Sequence, residues 1–349
     1  MTQVNRRREA ASKVNASAAA EEPDVNAMQM RLERGRETGP VRILALAGGG
    51  YLGLYTAAVL AELEARAGEP LARRFDLIAG TSVGGIAALA LAFERPMRRV
   101  VELFLDRGKE VFSPRARPRG TVTRLLDLSR SVLGPKYSGA ALRELLVGEF
   151  GRRTLGQALH RVVIPAVDIT RSHTKVFKTP HAEGSAGDER ASAAEVAMAT
   201  CAAPAYFPAV RIGDSLYADG GLFAVAPDQV ALHEAEHFLG VDPAHVQMLS
   251  IGTATANYQP ADSVDEDAGA VGWLSDGRLI LTLISVQQQH VQAMMEDRLG
   301  DRYLHLDAPW PREAGLGIDV ATEQAAGTLI ALGRETVAQA DAERLALFL

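Results

Sequence analysis

An α/β fold is the architecture this sequence predicts, with a mostly parallel central sheet, helices on both faces and a strand-serine-helix elbow. Three observations predict it. Val41–Ala47 and Phe75–Ala79 are short apolar runs of strand length. Each ends in glycine and leads into a segment whose apolar residues recur at helical spacing. That rhythm buries a parallel sheet under helices on both sides, giving three α/β/α layers. Finally, Gly80-Thr81-Ser82-Val83-Gly84 lies at the second strand-to-helix junction.

In chain order, residues 1 to about 38 are polar and Ala-rich and read as a flexible arm, with one short helix around Val25 to Leu32. Residues 39–349 read as a single domain, with core blocks over 43–253 and a helical C-terminal extension over 273–349. Val41–Ala47 is the first strand. Val59, Leu60 and Leu63 mark a helix over Leu54–Arg66. Phe75–Ala79 is the second strand and Ile86–Phe93 the second helix. The apolar run Phe75–Phe93 is long enough for a membrane span. Its internal glycines, Thr81 and Ser82 make a buried strand, turn and core helix the better reading.

Further strands are expected at Val162–Ile169, Lys175–Lys178 and Val246–Ile251, and a hairpin at Val210–Tyr217 turning on Gly213-Asp214. Residues 255–272 read as an acidic loop, and Leu279–Leu299 and Val320–Phe348 as helices. Leu125, Leu126, Leu128, Val132 and Leu133, flanked by Arg124 and Arg130, form an amphipathic stretch, readable as a membrane-touching lid or as ordinary packing. Met294-Met295 reads as core or subunit contact; a homo-oligomer stays open.

Of the 349 residues, 47% are hydrophobic and 23% charged, an ordinary globular balance. The net charge of −6 gives no general attraction to a nucleic-acid polymer or an anionic bilayer, so membrane contact requires a local patch. One cysteine, Cys201, excludes an internal disulfide and suits a reducing compartment. The opening residues lack the apolar core of a secretory signal, so a soluble cytoplasmic protein is expected.

The pentapeptide around Ser82 is G-x-S-x-G. Its glycines allow a sharp turn against neighbouring backbone, and the following helix aims free N–H groups and its positive dipole end at the serine. The bland alternative is a glycine-rich turn with a capping serine. Gly48-Gly49-Gly50-Tyr51-Leu52-Gly53 matches the dinucleotide fingerprint G-x-G-x-x-G. The next strand, however, ends in Ala79-Gly80 and lacks the acidic residue that would hold a ribose. An oxyanion hole fits Gly48, Gly49, Gly50 and Gly53 better.

A serine nucleophile needs a proton acceptor. His290 and His305 lie downstream but in polar contexts with no visible partner. Asp219-Gly220-Gly221 is the stronger candidate, because glycines after an acid allow close backbone approach; an ordinary Asp-Gly turn is the competing reading. His233-Glu234-Ala235-Glu236-His237 matches the zinc pattern H-E-x-x-H, although Pro243 stands where a third histidine would be needed.

Taken together, Ile43–Gly53, Gly80–Gly84, Ala199–Pro208, Asp219-Gly220-Gly221 and Ser250–Thr253 resemble the ordered blocks of the patatin-like phospholipases. The resemblance implies the patatin-like fold, phospholipid substrates, no cofactor and no metal, and a Ser82-Asp219 dyad without histidine. It further implies an oxyanion loop over Ile43–Gly53, elbow glycines Gly80 and Gly84, and Gly220-Gly221 beside the acceptor. Two departures stand out: Ala47 replaces a common Asp, and Leu52 a usual Arg or Lys. The glycine run through Ala57, Lys136-Tyr137-Ser138-Gly139 and the Gln/His/Met-rich C-terminal helix are similar to the CapV-type effector phospholipases of bacterial antiphage systems. That similarity implies a cyclic dinucleotide activator and action at the inner membrane surface. The competing functions are a nucleotide-sensing module with a vestigial hydrolase site, and a zinc metallopeptidase using His233, Glu234 and His237.

Overall fold

The structure is a computed structural model that describes residues 39–112, 134–182, 187–259, 277–311 and 314–349. The expected N-terminal arm, the amphipathic stretch around Leu125–Leu133 and most of the acidic loop lie outside the described residues. The strands in chain order are β1 (Val41–Leu46), β2 (Leu77–Gly80), β3 (Val162–Asp168), β4 (His173–Lys178), β5 (Val210–Ile212), β6 (Ser215–Asp219), β7 (Val246–Ile251) and β8 (Tyr303–Leu306). The helices are α1 (Gly53–Ala67), α2 (Val83–Ala92), α3 (Met97–Val111), α4 (Ala140–Phe150), α5 (Ala193–Thr200), α6 (Asp228–His233), α7 (Arg278–Leu299), α8 (Glu323–Gln339) and α9 (Ala342–Leu345).

One mixed sheet runs β5-β6-β3-β2-β1-β7-β8, with β4 also on β3. The segment from β3 to β8 is parallel, while β4, β5 and β6 are antiparallel. Successive side chains of a strand face opposite ways, and here both faces are apolar. Leu44 and Leu46 join one core with Leu60 of α1, Leu89 of α2, Val100 of α3, Val196 of α5 and Leu329 of α8. Ile43 and Ala45 join the opposite core with Leu232 of α6 and Met295 of α7. The described residues therefore form the three α/β/α layers that the sequence predicts.

Strand β3 positions the site. Its Val162 and Val163 pair with Ile78 and Ala79 of β2. Strand β2 stops at Gly80, after only four residues. The edge of β3 vacated beyond that point is taken by β6, through Ala166↔Asp219, Val167↔Ala218 and Asp168↔Tyr217. The other edge is filled by β4 along Val163–Asp168. Asp219 is the residue of β6 nearest the end of β2, where the chain turns through Ser82.

Three sequence expectations need correction. Helix α2 starts at Val83, not at Ile86, so its first turn abuts Ser82 directly. The C-terminal helix is broken: α8 ends at Gln339, and Asp341 caps α9 by accepting from the Glu343 and Arg344 amides. Helices α3 and α4 and strand β8 are additions that the apolar pattern did not flag.

Candidate active site

Ser82 occupies φ 54°, ψ −126°, a conformation foreign to most side-chain-bearing residues. Such a residue costs on the order of 1–3 kcal/mol and persists only where its surroundings over-determine it. They do so here. The Ser82 amide donates to Thr200 Oγ1 at 2.9 Å, and Thr200 Oγ1 donates to Pro165 O at 2.6 Å. The Thr81 amide donates to Leu46 O at 3.1 Å and its hydroxyl to Ala224 O at 2.7 Å. A Cβ on Gly84 would lie 2.3 Å from Leu46 O, and one on Gly80 would lie 2.2 Å from Gly84 O. Both elbow glycines are thus required by space. Thr200 and Thr81 escaped the sequence reading; the one cue was a lone threonine closing each otherwise apolar run.

Ser82 Oγ donates to Asp219 Oδ2 at 2.8 Å. The other carboxylate oxygen accepts from the Gly221 amide at 2.7 Å, and the Asp219 amide donates to Ala202 O at 3.0 Å. Gly220 lets this turn press onto β3, since a Cβ there would sit 2.3 Å from Pro165 O. Burial pushes the Asp219 carboxyl up to about 6, against the opposing pull of the Gly221 amide and the Ser82 hydroxyl. The carboxylate is therefore a stronger base than a solvated one, yet ionised at neutral pH.

The glycine loop divides by function. The Gly48 amide donates to Val225 O at 2.9 Å, and the Gly53 amide is spent on Gly50 O. These two residues are corrected from oxyanion donors to supports: Gly53 faces Val83, whose side chain an added Cβ would meet at 2.5 Å. The amides of Gly49 and Gly50 have no protein acceptor among the described residues. With Gly48, Ser82 and Asp219 they line one cavity. Gly50 needs its φ of 59° because Ile318 O, which accepts from the Tyr51 amide at 2.7 Å, would lie 2.2 Å from a Cβ. Leu52 is fully buried, so the position of the family's usual cation is a core contact here.

The cavity measures about 260 Å³. Its walls come from α3 (Val100, Phe104, Val111), α4 (Leu142, Leu145) and α7 (Ile280, Leu283, Ile284). Phe104 and Phe112 of this lining each pack edge to face on Tyr51, with centroids 5.8 Å apart in both pairs. Such a lining accepts hydrocarbon and little else. Cys201 also lines it, and burial holds its thiol protonated.

No histidine lines the cavity. His305 Nδ1 on β8 lies 3.1 Å from Ser250 Oγ on β7, and His290 is exposed on α7. The zinc reading is overturned by Glu234, which is buried and bonded to Lys178 Nζ at 2.7 and 2.8 Å and to His181 Nε2 at 3.1 Å. A carboxylate committed to a buried cation cannot activate water. His233 and His237 stack on each other in the open, with centroids 5.2 Å apart, and no cluster of three metal-ligating side chains occurs among the described residues.

A family profile described as "Patatin-like phospholipase" matches residues 44–232. A protein named cGAMP-activated phospholipase from Pseudomonas aeruginosa is 42% identical over 266 residues, covering 76% of this chain and 77% of that protein. Proteins of the same name from Escherichia coli and Vibrio cholerae are each 33% identical, over 324 and 322 residues. They match 84% of this chain and 88% and 90% of their own lengths.

The environment of Asp219 has a consequence for stability. Its folded pKa is raised, so its contribution is fully present below about pH 4 and is lost as pH rises through about 6. Ionised at pH 8, it costs the fold on the order of 3 kcal/mol. Asp219→Asn is expected to be more stable than wild type at pH 8, by about 1–3 kcal/mol in urea unfolding. The gain should vanish near pH 4; a gain independent of pH would contradict this electrostatic assignment.

Proposed function

The chain belongs to the patatin-like phospholipase family and is a lipid ester hydrolase, and from that premise we propose that Ser82 is its nucleophile and Asp219 its single proton carrier. The 2.8 Å Ser82-Asp219 bond at the wall of an apolar cavity is the observation that carries this reading. Asp219 takes the Ser82 proton as Oγ attacks the ester carbonyl of a phospholipid whose acyl chain occupies the cavity. The Gly49 and Gly50 amides, beside the N-terminus of α2, receive the developing oxyanion. Each such donor is worth on the order of 3 kcal/mol in the transition state. Collapse of the tetrahedral species expels the lysolipid alcohol, which takes the proton from Asp219 and leaves an acyl-Ser82 ester. Asp219 then deprotonates water, whose attack frees the fatty acid and returns the proton to Ser82.

The relatives' printed name supports a second element of the proposal, that a cyclic dinucleotide such as cGAMP switches this activity on. In a nucleotide-sensing module with a vestigial site, selection would not maintain the strained Ser82 or its four restraining hydrogen bonds. With phospholipid vesicles and cGAMP, fatty-acid release is expected from wild type and to fall at least ~1000-fold in Ser82→Ala. The rate should decline as pH drops through about 6, because the base must be ionised to act. Tight nucleotide binding with no turnover in any lipid would favour the sensing module instead.

A phospholipid substrate requires the protein to meet a membrane surface. No described helix is long and apolar enough to cross a bilayer. Leu222 and Leu283 line the cavity yet are 54% and 45% exposed. Phe223, next to Leu222, and Val286, three residues past Leu283 on α7, are exposed as well. This apolar rim suits the headgroup-acyl boundary, and a chain of net charge −6 must dock by such contacts more than by charge. Phe223→Ser combined with Val286→Ser should weaken vesicle binding and vesicle hydrolysis ~10-fold or more, at about 0.8 kcal/mol per buried methylene lost. Hydrolysis of a soluble short-chain ester should be unchanged. Undiminished vesicle binding would place the docking face elsewhere.

A further inference from the structure

The geometry points to Gln287 of α7 as a positioning residue whose carboxamide ties the Asp219 turn, the serine elbow and the glycine loop into one unit. The inference rests on the dyad reading above. Gln287 Oε1 accepts from the Val225 amide at 3.2 Å, and its Nε2 donates to Gly221 O at 3.4 Å. Both contacts lie in the segment joining Asp219 to α6, and each is one step from the proposed chemistry.

The peptide unit that gives Gln287 its N–H is the one whose carbonyl, Ala224 O, accepts the Thr81 hydroxyl beside Ser82. The next carbonyl, Val225 O, holds the Gly48 amide at the start of the glycine loop. Gly221, whose carbonyl Gln287 engages, donates its own amide to the carboxylate of Asp219. Removing the carboxamide therefore releases one segment that touches all three parts of the site.

The chemistry explains the residue type. The role needs an acceptor and a donor on one uncharged side chain, long enough to reach from the α7 backbone across the cavity wall. Glutamine's carboxamide supplies the two on separate atoms at the end of a long, flexible stem, which the shorter hydroxyl side chains do not. A charged group there would face the buried carboxylate of Asp219 across the Gly221 turn. The segment has no other side-chain hydrogen bond from α7 among the described residues, so the helix registers the site through this carboxamide. A shift of α7 along its axis would act on the base, the nucleophile turn and the oxyanion loop together.

The test compares wild type, Gln287→Met, Gln287→Glu and Gln292→Met on a soluble short-chain ester with cGAMP present. Methionine keeps length and apolar volume but forms neither bond. Gln292 on the same helix bonds only Glu296, at the surface, and its variant reports any nonspecific effect of altering α7. Misplacing reacting groups by about an ångström costs on the order of 100-fold. Gln287→Met is expected to lose ~10- to 100-fold in kcat with KM within about twofold, while keeping cooperative thermal unfolding. Gln287→Glu keeps an acceptor for Val225 but loses the donor to Gly221 O and sets a second carboxylate toward Asp219. It should therefore lose at least as much kcat as Gln287→Met and move the pH midpoint of the rate upward; it decides the case if the methionine variant does not fold. Gln292→Met should match wild type. Wild-type kcat in the folded Gln287 variants, or an equal loss in Gln292→Met, would overturn the positioning role. Ser82→Ala run alongside separates the two ideas: activity surviving there would defeat the dyad reading itself.

Discussion

The site depends on one edge of one strand. Because β2 ends at Gly80, β3 has unpaired backbone beyond Val163, and β6 fills it in the antiparallel sense. That exchange of partners brings a residue 137 positions downstream to within 2.8 Å of the Ser82 hydroxyl. Had β2 run two residues further, its side chains would occupy the place of Asp219. The threonine relay from the Ser82 amide through Thr200 to Pro165 O fastens the elbow to this same stretch of β3. The Ser82 hydroxyl and the Asp219 carboxylate are thus referenced to a single strand, with little accumulated error between them.

The proposed role of Asp219 asks a carboxylate to do what an imidazole does in other serine hydrolases, and burial is what fits it for that role. A carboxylate at its usual pKa is a weak partner for a hydroxyl. Asp219 is dry, and burial carries it up to about 6. In the proposed mechanism, a native state destabilised at neutral pH accompanies a competent base. The counterpart is Glu234, also buried, whose neighbours Lys178 and His181 take up its charge and leave it nothing to do chemically. Burial is common to both acids. What separates them is whether a cation or a hydroxyl faces the carboxylate.

Much of this was legible from residue order. Strand β2 is a continuous apolar run, β1 and β7 are apolar apart from Arg42, Gln247 and Ser250, and the two glycine motifs sit where a strand hands over to a helix. The walls of the cavity were not legible, for a physical reason. Helix α3 buries Met97, Val100 and Val111 but carries seven charged residues on its other faces, and α4 buries a single stripe of Leu142, Leu146 and Phe150. Such narrow stripes resemble chance in a sequence and become meaningful only against a sheet. Strand β8 is four residues long and is separated from a 22-residue helix only by the short turn Gly300–Arg302, so it offers too few residues to show an alternating pattern. The division of labour in the glycine loop was equally hidden. Identical residues at Gly48 and Gly49 differ only in whether a carbonyl from a distant segment reaches their amides.

The central claim is that buried Asp219 activates Ser82 through their shared hydrogen bond. Phosphonylation of Ser82 by a fluorophosphonate, followed by intact-protein mass spectrometry across pH, isolates that step from lipid binding and from acyl-enzyme turnover. The wild-type rate should climb with pH through a midpoint near 6, and Asp219→Asn should label slowly and without that midpoint. Equal labelling of the two proteins across the pH range would contradict the account.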